Sequence, residues 1–192
     1  MHKKLFSEEF KIFSHLTEHE KYALYTFAKK LPEHAVCVEI GSFLGSSSCF
    51  IAAGITENSK LYCIDTWGNH AMKYVETDID ANERDTYDEF NSNTNKYKNK
   101  IVQLRGWSYD KIIDLKTQVN KIDFLFIDGD HNYEGVKKDW DLYNGLLENG
   151  SVVAFHDVEW AEGVNKVISE NVVFRAELIY KLPNLAFYRI CQ

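Results

Sequence analysis

Short apolar runs alternate along this chain with longer segments whose apolar residues recur every three or four positions. Ala35 to Ile40 is a short apolar run closed by Gly41, the pattern of a strand buried on both faces. Similar runs follow at Leu61–Ile64, Ile101–Leu104, Ile122–Ile127 and Ser151–Phe155, and they end at or near Asp65, Gly106, Asp128 and His156. Between them lie helical patterns. Gly45 to Ile55 reads as one, and Val136, Trp140, Tyr143 and Leu147 line one face of another after the cap-competent Asn132. Strand, helix, strand in this rhythm predicts an α/β domain with a doubly wound, mostly parallel sheet.

The two ends differ. The first 32 residues hold two helical patterns, the second opened by the capping box Thr17-x-x-Glu20 and ended by Pro32. The tail, Val172–Ile179 and Ala186–Cys191 around Lys181-Leu182-Pro183-Asn184, reads as two late strands paired antiparallel, which brings the sheet to seven. Only 67–100 breaks the rhythm. It is long, polar and charged, with a predicted helix from Glu83 to about Tyr97, and is expected to be a lid or substrate-facing insertion.

Composition narrows the picture without changing it. A length of 192 residues suits one domain spanning the chain, and 45% hydrophobic residues with two prolines exclude disorder. A net charge of −7 without a Lys/Arg cluster argues against nucleic acid and favours a small-molecule partner. No apolar stretch is long enough for a membrane span or a leader, so a cytoplasmic protein without membrane attachment is expected. Cys37, Cys49, Cys63 and Cys191 lack metal-site spacing and read as structural thiols. The oligomeric state is open, a homo-oligomer being compatible with it.

In such a sheet ligands bind outside the carboxyl ends of the strands, at the switch point. Glu39, Gly41, Asp65, Ser108, Asp128, His156 and Asp157 are therefore expected around one crevice. Gly41 and Gly45 allow close backbone approach, and the helix after them offers free N–H groups to a carboxylate. A ligand with an amino-acid tail fits there, its ammonium pairing with Glu39, which is otherwise costly to ionise in a buried strand. The alternative is a structural Glu bonded to neighbouring backbone. Asp65 is suited to ribose hydroxyls, or equally to initiating a turn.

The segment EIGSFLGSS, residues 39–47, resembles the first motif of O-methyltransferases of the catechol and caffeoyl-CoA type. IDGDHNYEGVKKDW followed by VVAFHD is similar to a small bacterial O-methyltransferase family that includes macrolide-sugar O-methyltransferases and a cephalosporin-cluster protein. Together these motifs run from about Val36 to Asp157. The resemblance implies a Rossmann-like class I fold and S-adenosylmethionine as cofactor, with Glu39, Gly41, Ser42, Gly45 and Ser47 at its methionine part. It also implies Asp65 at the ribose and Trp107, Ser108 and Tyr109 at the adenine, with Asp128 lying at the cofactor too.

The same resemblance makes Asp128 a metal ligand and His131 the general base, in transfer of a methyl group to a hydroxyl of a small molecule such as a sugar. The remaining ligands in that family are two adjacent acidic residues, and here the pair is His156-Asp157. Magnesium prefers oxygen ligands, so a divalent cation, magnesium or manganese, held by Asp128, His156 and Asp157 is left open. From the chemistry alone an alcohol needs a base near neutral pKa, a role open to His131 or His156, with Asp128 or Asp157 orienting the ring. Asp130 is read as a helix cap, and Asp139 with Lys137 and Lys138 as a solvated face.

Three other readings compete. A nicotinamide oxidoreductase needs a second glycine where Phe43 stands. A metal-dependent hydrolase or phosphoesterase has use for the Asp128, Asp130, His131, His156, Asp157 group, although few further ligands exist for two metals. The fold also suits a non-catalytic cofactor-binding module of a biosynthetic assembly.

Overall fold

The computed structural model describes residues 6–68 and 84–191. Seven strands, β1 (Val36–Ile40), β2 (Lys60–Asp65), β3 (Ile101–Arg105), β4 (Ile122–Ile127), β5 (Leu147–His156), β6 (Ala176–Lys181) and β7 (Leu185–Ile190), form one sheet. Their order is β3-β2-β1-β4-β5-β7-β6, with β1 to β5 parallel and β7 antiparallel to both neighbours. The chain winds outward from β1 to β3, then restarts at β4 on the other side of β1, so the switch point lies between β1 and β4.

Helices cover both faces: α1 (Glu18–Ala28), α2 (Ser46–Gly54), α3 (Tyr87–Thr94), α4 (Ser108–Lys116), α5 (Tyr133–Tyr143) and α6 (Glu162–Val167). Alternation along each strand sorts the core into two layers. Val38, Ile40, Ile64 and Leu125 face the side where Ile112, Trp140 and Val164 pack. Cys37, Cys63, Phe124 and Phe126 face Leu24, Ile51 and Phe90. Glu39 follows the same parity and points to this second side, toward α2. Of the four thiols expected to be structural, Cys37, Cys49 and Cys63 are buried and free of disulfides, whereas Cys191 is exposed.

Several element bounds differ from the expected ones. The first N-terminal helix is one 3-10 turn, Glu9–Lys11. Leu147 is not on α5; a 3-10 turn, Asn144–Leu146, intervenes and Leu147 opens β5, yet it joins the core packed by Trp140 and Tyr143, so its apolar character was informative and its period was not. Val172 is not in a strand. It closes a π turn, Ile168–Val172, in which Val173 N–H bonds Ile168 O at 3.1 Å, and β6 begins at Ala176. Of the expected insertion, Trp67 and Phe90 are fully buried and α3 packs on the side of α2. The expected helix is α3 plus the 3-10 turn Asn95–Tyr97. Residues 69–83, with the start of that helix at Glu83, lie outside the described residues.

Candidate active site

The turn after β1 is built for close approach. Gly41 has φ +89°, and a Cβ there would stand 2.2 Å from the carbonyl oxygen of Asp128, so only glycine lets the ends of β1 and β4 meet. Gly45, φ +84°, caps α2, where a Cβ would meet the Thr94 methyl at 2.5 Å. Phe43 between them also has positive φ. It is held by Asp65, whose carboxylate accepts the backbone N–H of Phe43 at 2.8 Å and of Trp67 at 2.7 Å, while Trp67 Nε1–H donates to Phe43 O at 3.0 Å. Asp65 thus organises the turn itself.

Glu39 is fully buried. Its Oε2 accepts from the Ser48 hydroxyl and lies 3.5 Å from Cys63 Sγ. Its Oε1 has no hydrogen-bond partner among the described residues, nor do the hydroxyls of Ser42 and Ser46. Burial pushes the Glu39 carboxyl up to about 7, against the pull of the serine hydroxyls around it, and Asp128 adds to the rise. An unpaired buried acceptor costs of the order of 1–3 kcal/mol. A cationic donor at that oxygen would offset this cost.

At the other end of the crevice, Trp107 and Tyr109 are exposed and stacked at 6.0 Å, and Lys138 Nζ lies 3.4 Å from the Tyr109 ring centre. Ser108 opens α4, and its hydroxyl donates to Asp139 Oδ1 at 2.5 Å. Asp139 is therefore not on a solvated face. It is 4% exposed, and burial pushes its carboxyl up to about 6. The 3.6-residue period puts it beside Val136 and Trp140, but a charge flanked by lysines hid this.

The ends of β4 and β5 bring four titratable groups together. His156 Nδ1 lies 3.1 Å from Asp128 Oδ1 and 3.1 Å from Asp157 Oδ1, and His131 Nε2 lies 3.0 Å from Asp157 Oδ2. Burial opposes charge on both histidines, yet the carboxylates around them win and raise both. Asp157 is held well below the usual carboxylate range by the two rings despite burial, whereas burial raises Asp128. Asp130, read as a helix cap, is instead a turn residue: its Oδ1 accepts from the backbone of His131 at 2.7 Å and Asn132 at 3.0 Å, and Asn132 is the cap.

A family model described as a methyltransferase domain matches residues 38–158. The chain belongs to this methyltransferase family. Uncharacterized protein R132 of Acanthamoeba polyphaga mimivirus is 34% identical over 85 residues, 40% of this chain and 38% of that protein. The matched stretches span well under half the length of the curated relatives. The O-methyltransferase TomG from Streptomyces achromogenes, solved in complex with SAM, matches at a TM-score of 0.69 and 17% identity, covering 92% of this chain and 82% of its own. An O-methyltransferase from Bacillus cereus in complex with SAH matches at 0.72 and 13%, covering 100% and 90%. At such identity the likeness is one of fold.

Methyltransferase membership leaves three residues at the site that sequence reasoning passed over. Trp160 Nε1–H donates to Asp157 Oδ1 at 2.9 Å, and its half-exposed ring meets His131 edge to face at 4.9 Å. Asn184, in the β6–β7 turn, accepts from Glu159 N–H at 3.0 Å, donates to Asp157 Oδ1 at 3.1 Å and lies 3.4 Å from His156 Nε2. Glu20, on α1, reaches within 3.8 Å of the same Nε2. No local pattern announces the first two; Glu20 was visible only as a cap.

Proposed function

We propose that this methyltransferase transfers a methyl group from S-adenosylmethionine to a hydroxyl of a small molecule. The observation that carries it is the unpaired, fully buried Oε1 of Glu39 facing a turn whose Gly41 leaves no room for a side chain. An ammonium meets that oxygen's need, and the free N–H groups opening α2 suit the carboxylate of the same amino-acid tail. Asp65 takes the ribose, and the flat Trp107–Tyr109 pair suits the adenine. When bound, the cofactor supplies a sulfonium methyl that an alcohol oxygen can take in line.

His131 is the base of this reading. Asp157 holds its Nε2–H, which leaves Nδ1 to receive the hydroxyl proton and stabilises the imidazolium that results. Asp128, His156 and Asp157 offer ligand atoms all within 4.8 Å of one another. Two carboxylates and an imidazole fit a borderline divalent cation, Mn²⁺ better than Mg²⁺. Such a cation acidifies a hydroxyl bound to it.

The O-methyltransferase neighbours support an alcohol acceptor, and the −7 charge supports one that is not a nucleic acid. No helix among the described residues is long and apolar enough to cross a membrane. Unpaired buried thiols fit the reducing cytosol. Calorimetry with S-adenosylmethionine and NAD tests the cofactor. Saturable binding of the first alone, followed by S-adenosylhomocysteine formation when an acceptor alcohol is added, is expected; binding of neither removes the reading.

A further inference from the structure

The N-terminal segment crosses the crevice. At one end His15 lies against the ring of Phe43, with Phe13 edge-on to both. At the other, α1 delivers Glu20 to the interior. Glu20 completes the capping box: its N–H bonds Thr17 Oγ1 at 3.3 Å, and its Oε2 accepts Thr17 N–H at 2.7 Å and the Thr17 hydroxyl at 2.9 Å. Capping needs no burial, and box glutamates sit well in water. This one is 3% exposed, and the same Oε2 lies 3.8 Å from Nε2 of the equally buried His156.

We infer that Glu20 is a positioning residue of the active site, orienting the His156 ring so that Nδ1 faces Asp128 and Asp157. Two observations support this. The ring lies between acceptors on both sides, with Nδ1 at 3.1 Å from each of two carboxylates and Nε2 at 3.8 Å, an ion-pair distance, from the Glu20 carboxylate. Glu20 also belongs to the body of the protein through Thr17, so its carboxylate is aimed before any ligand arrives. A histidine that ligates through one nitrogen is fixed by an acceptor on the N–H of the other, and loss of that acceptor weakens cation binding by about 10–100-fold. A residue more than a hundred positions from the strand ends thereby shapes their cation affinity.

The inference rests on the cation reading given above, and the test separates the two. Mn²⁺ binding to the full chain is measured by calorimetry for the wild type, Glu20→Ala and Thr17→Ala, with melting temperature recorded for each. Thr17→Ala removes the capping hydroxyl and leaves the Glu20 carboxylate in place, so it reports the loss of the cap alone. The expected result is a Kd for Mn²⁺ about 10–100-fold weaker in Glu20→Ala and unchanged in Thr17→Ala. Wild-type Mn²⁺ affinity in folded Glu20→Ala, or an equal weakening in Thr17→Ala, overturns the positioning role and leaves the cation reading standing. No saturable Mn²⁺ binding to the wild type overturns both.

Discussion

Asp157 Oδ2 lies 3.0 Å from His131 Nε2, and this contact ties the end of β5 to the loop that follows β4. The ring is thereby held with Nε2 committed to Asp157. His131→Ala is expected to lower turnover by about 10²–10⁴-fold while leaving S-adenosylmethionine affinity unchanged. Single-turnover kinetics beside calorimetry checks this, and an active His131→Ala enzyme removes the base assignment.

Stability should depend on pH through Glu39. Its folded-state pKa, about 7, lies above the ordinary 4.5, so between these values the folded protein keeps a proton that the unfolded chain has released. Stability without ligand is then greatest near the lower value and falls as pH rises to the higher, by at most about 1.4 kcal/mol per pH unit from one group. Asp139, raised to about 6, acts with the same sign. Scanning calorimetry from pH 5 to 8 should show the decline, and Glu39→Gln should reduce it, leaving the share that Asp139 supplies. A slope unchanged by the substitution assigns the effect to other groups.

Gly41→Ala places a Cβ 2.2 Å from Asp128 O at φ +89°, where neither backbone can retreat without breaking the β1–β4 pairing. A loss of about 2–5 kcal/mol is expected from strain and overpacking together. Urea titration measures it. A variant as stable as the wild type would mean that the two strand ends are further apart than described.

If a cation serves at Asp128, His156 and Asp157, a chelator should abolish turnover and Mn²⁺ should restore it better than Mg²⁺. S-adenosylmethionine binding should persist, because Glu39 and Asp65 contribute nothing to that donor set. Full turnover in the chelator leaves the methyltransferase reading intact and removes the metal.

Much of this was legible in the chain because the sheet is parallel. Strands buried on both faces write themselves as apolar runs, and the fold then brings their polar ends to one edge of the sheet, which is why Glu39, Asp65, Asp128, His131, His156 and Asp157 are expected near one another. What escaped reading depends on tertiary contact. Val172 is as apolar in a π turn as in a strand, so composition did not separate the two. Asp139 sits in the period of Val136 and Trp140, but its lysine neighbours made solvent the natural expectation. Asn184 enters the site only because β7 runs antiparallel beside β5 and carries its turn to the crevice, a fact no local pattern encodes, whereas Trp160 folds back onto Asp157 through the turn that follows β5.

The strand order has a consequence for inheritance. Because the chain finishes β1 to β3 before it starts β4, the residues proposed to hold the methyl donor, from Glu39 to Tyr109, form one uninterrupted stretch. Those proposed to handle the acceptor, from Asp128 to Asn184, form the next. A recombination event near residue 118, between α4 and β4, could therefore exchange acceptor machinery wholesale while the donor grip passes on unaltered. Glu20, upstream of that crossover but facing His156 beyond it, is the contact a successful hybrid would have to match.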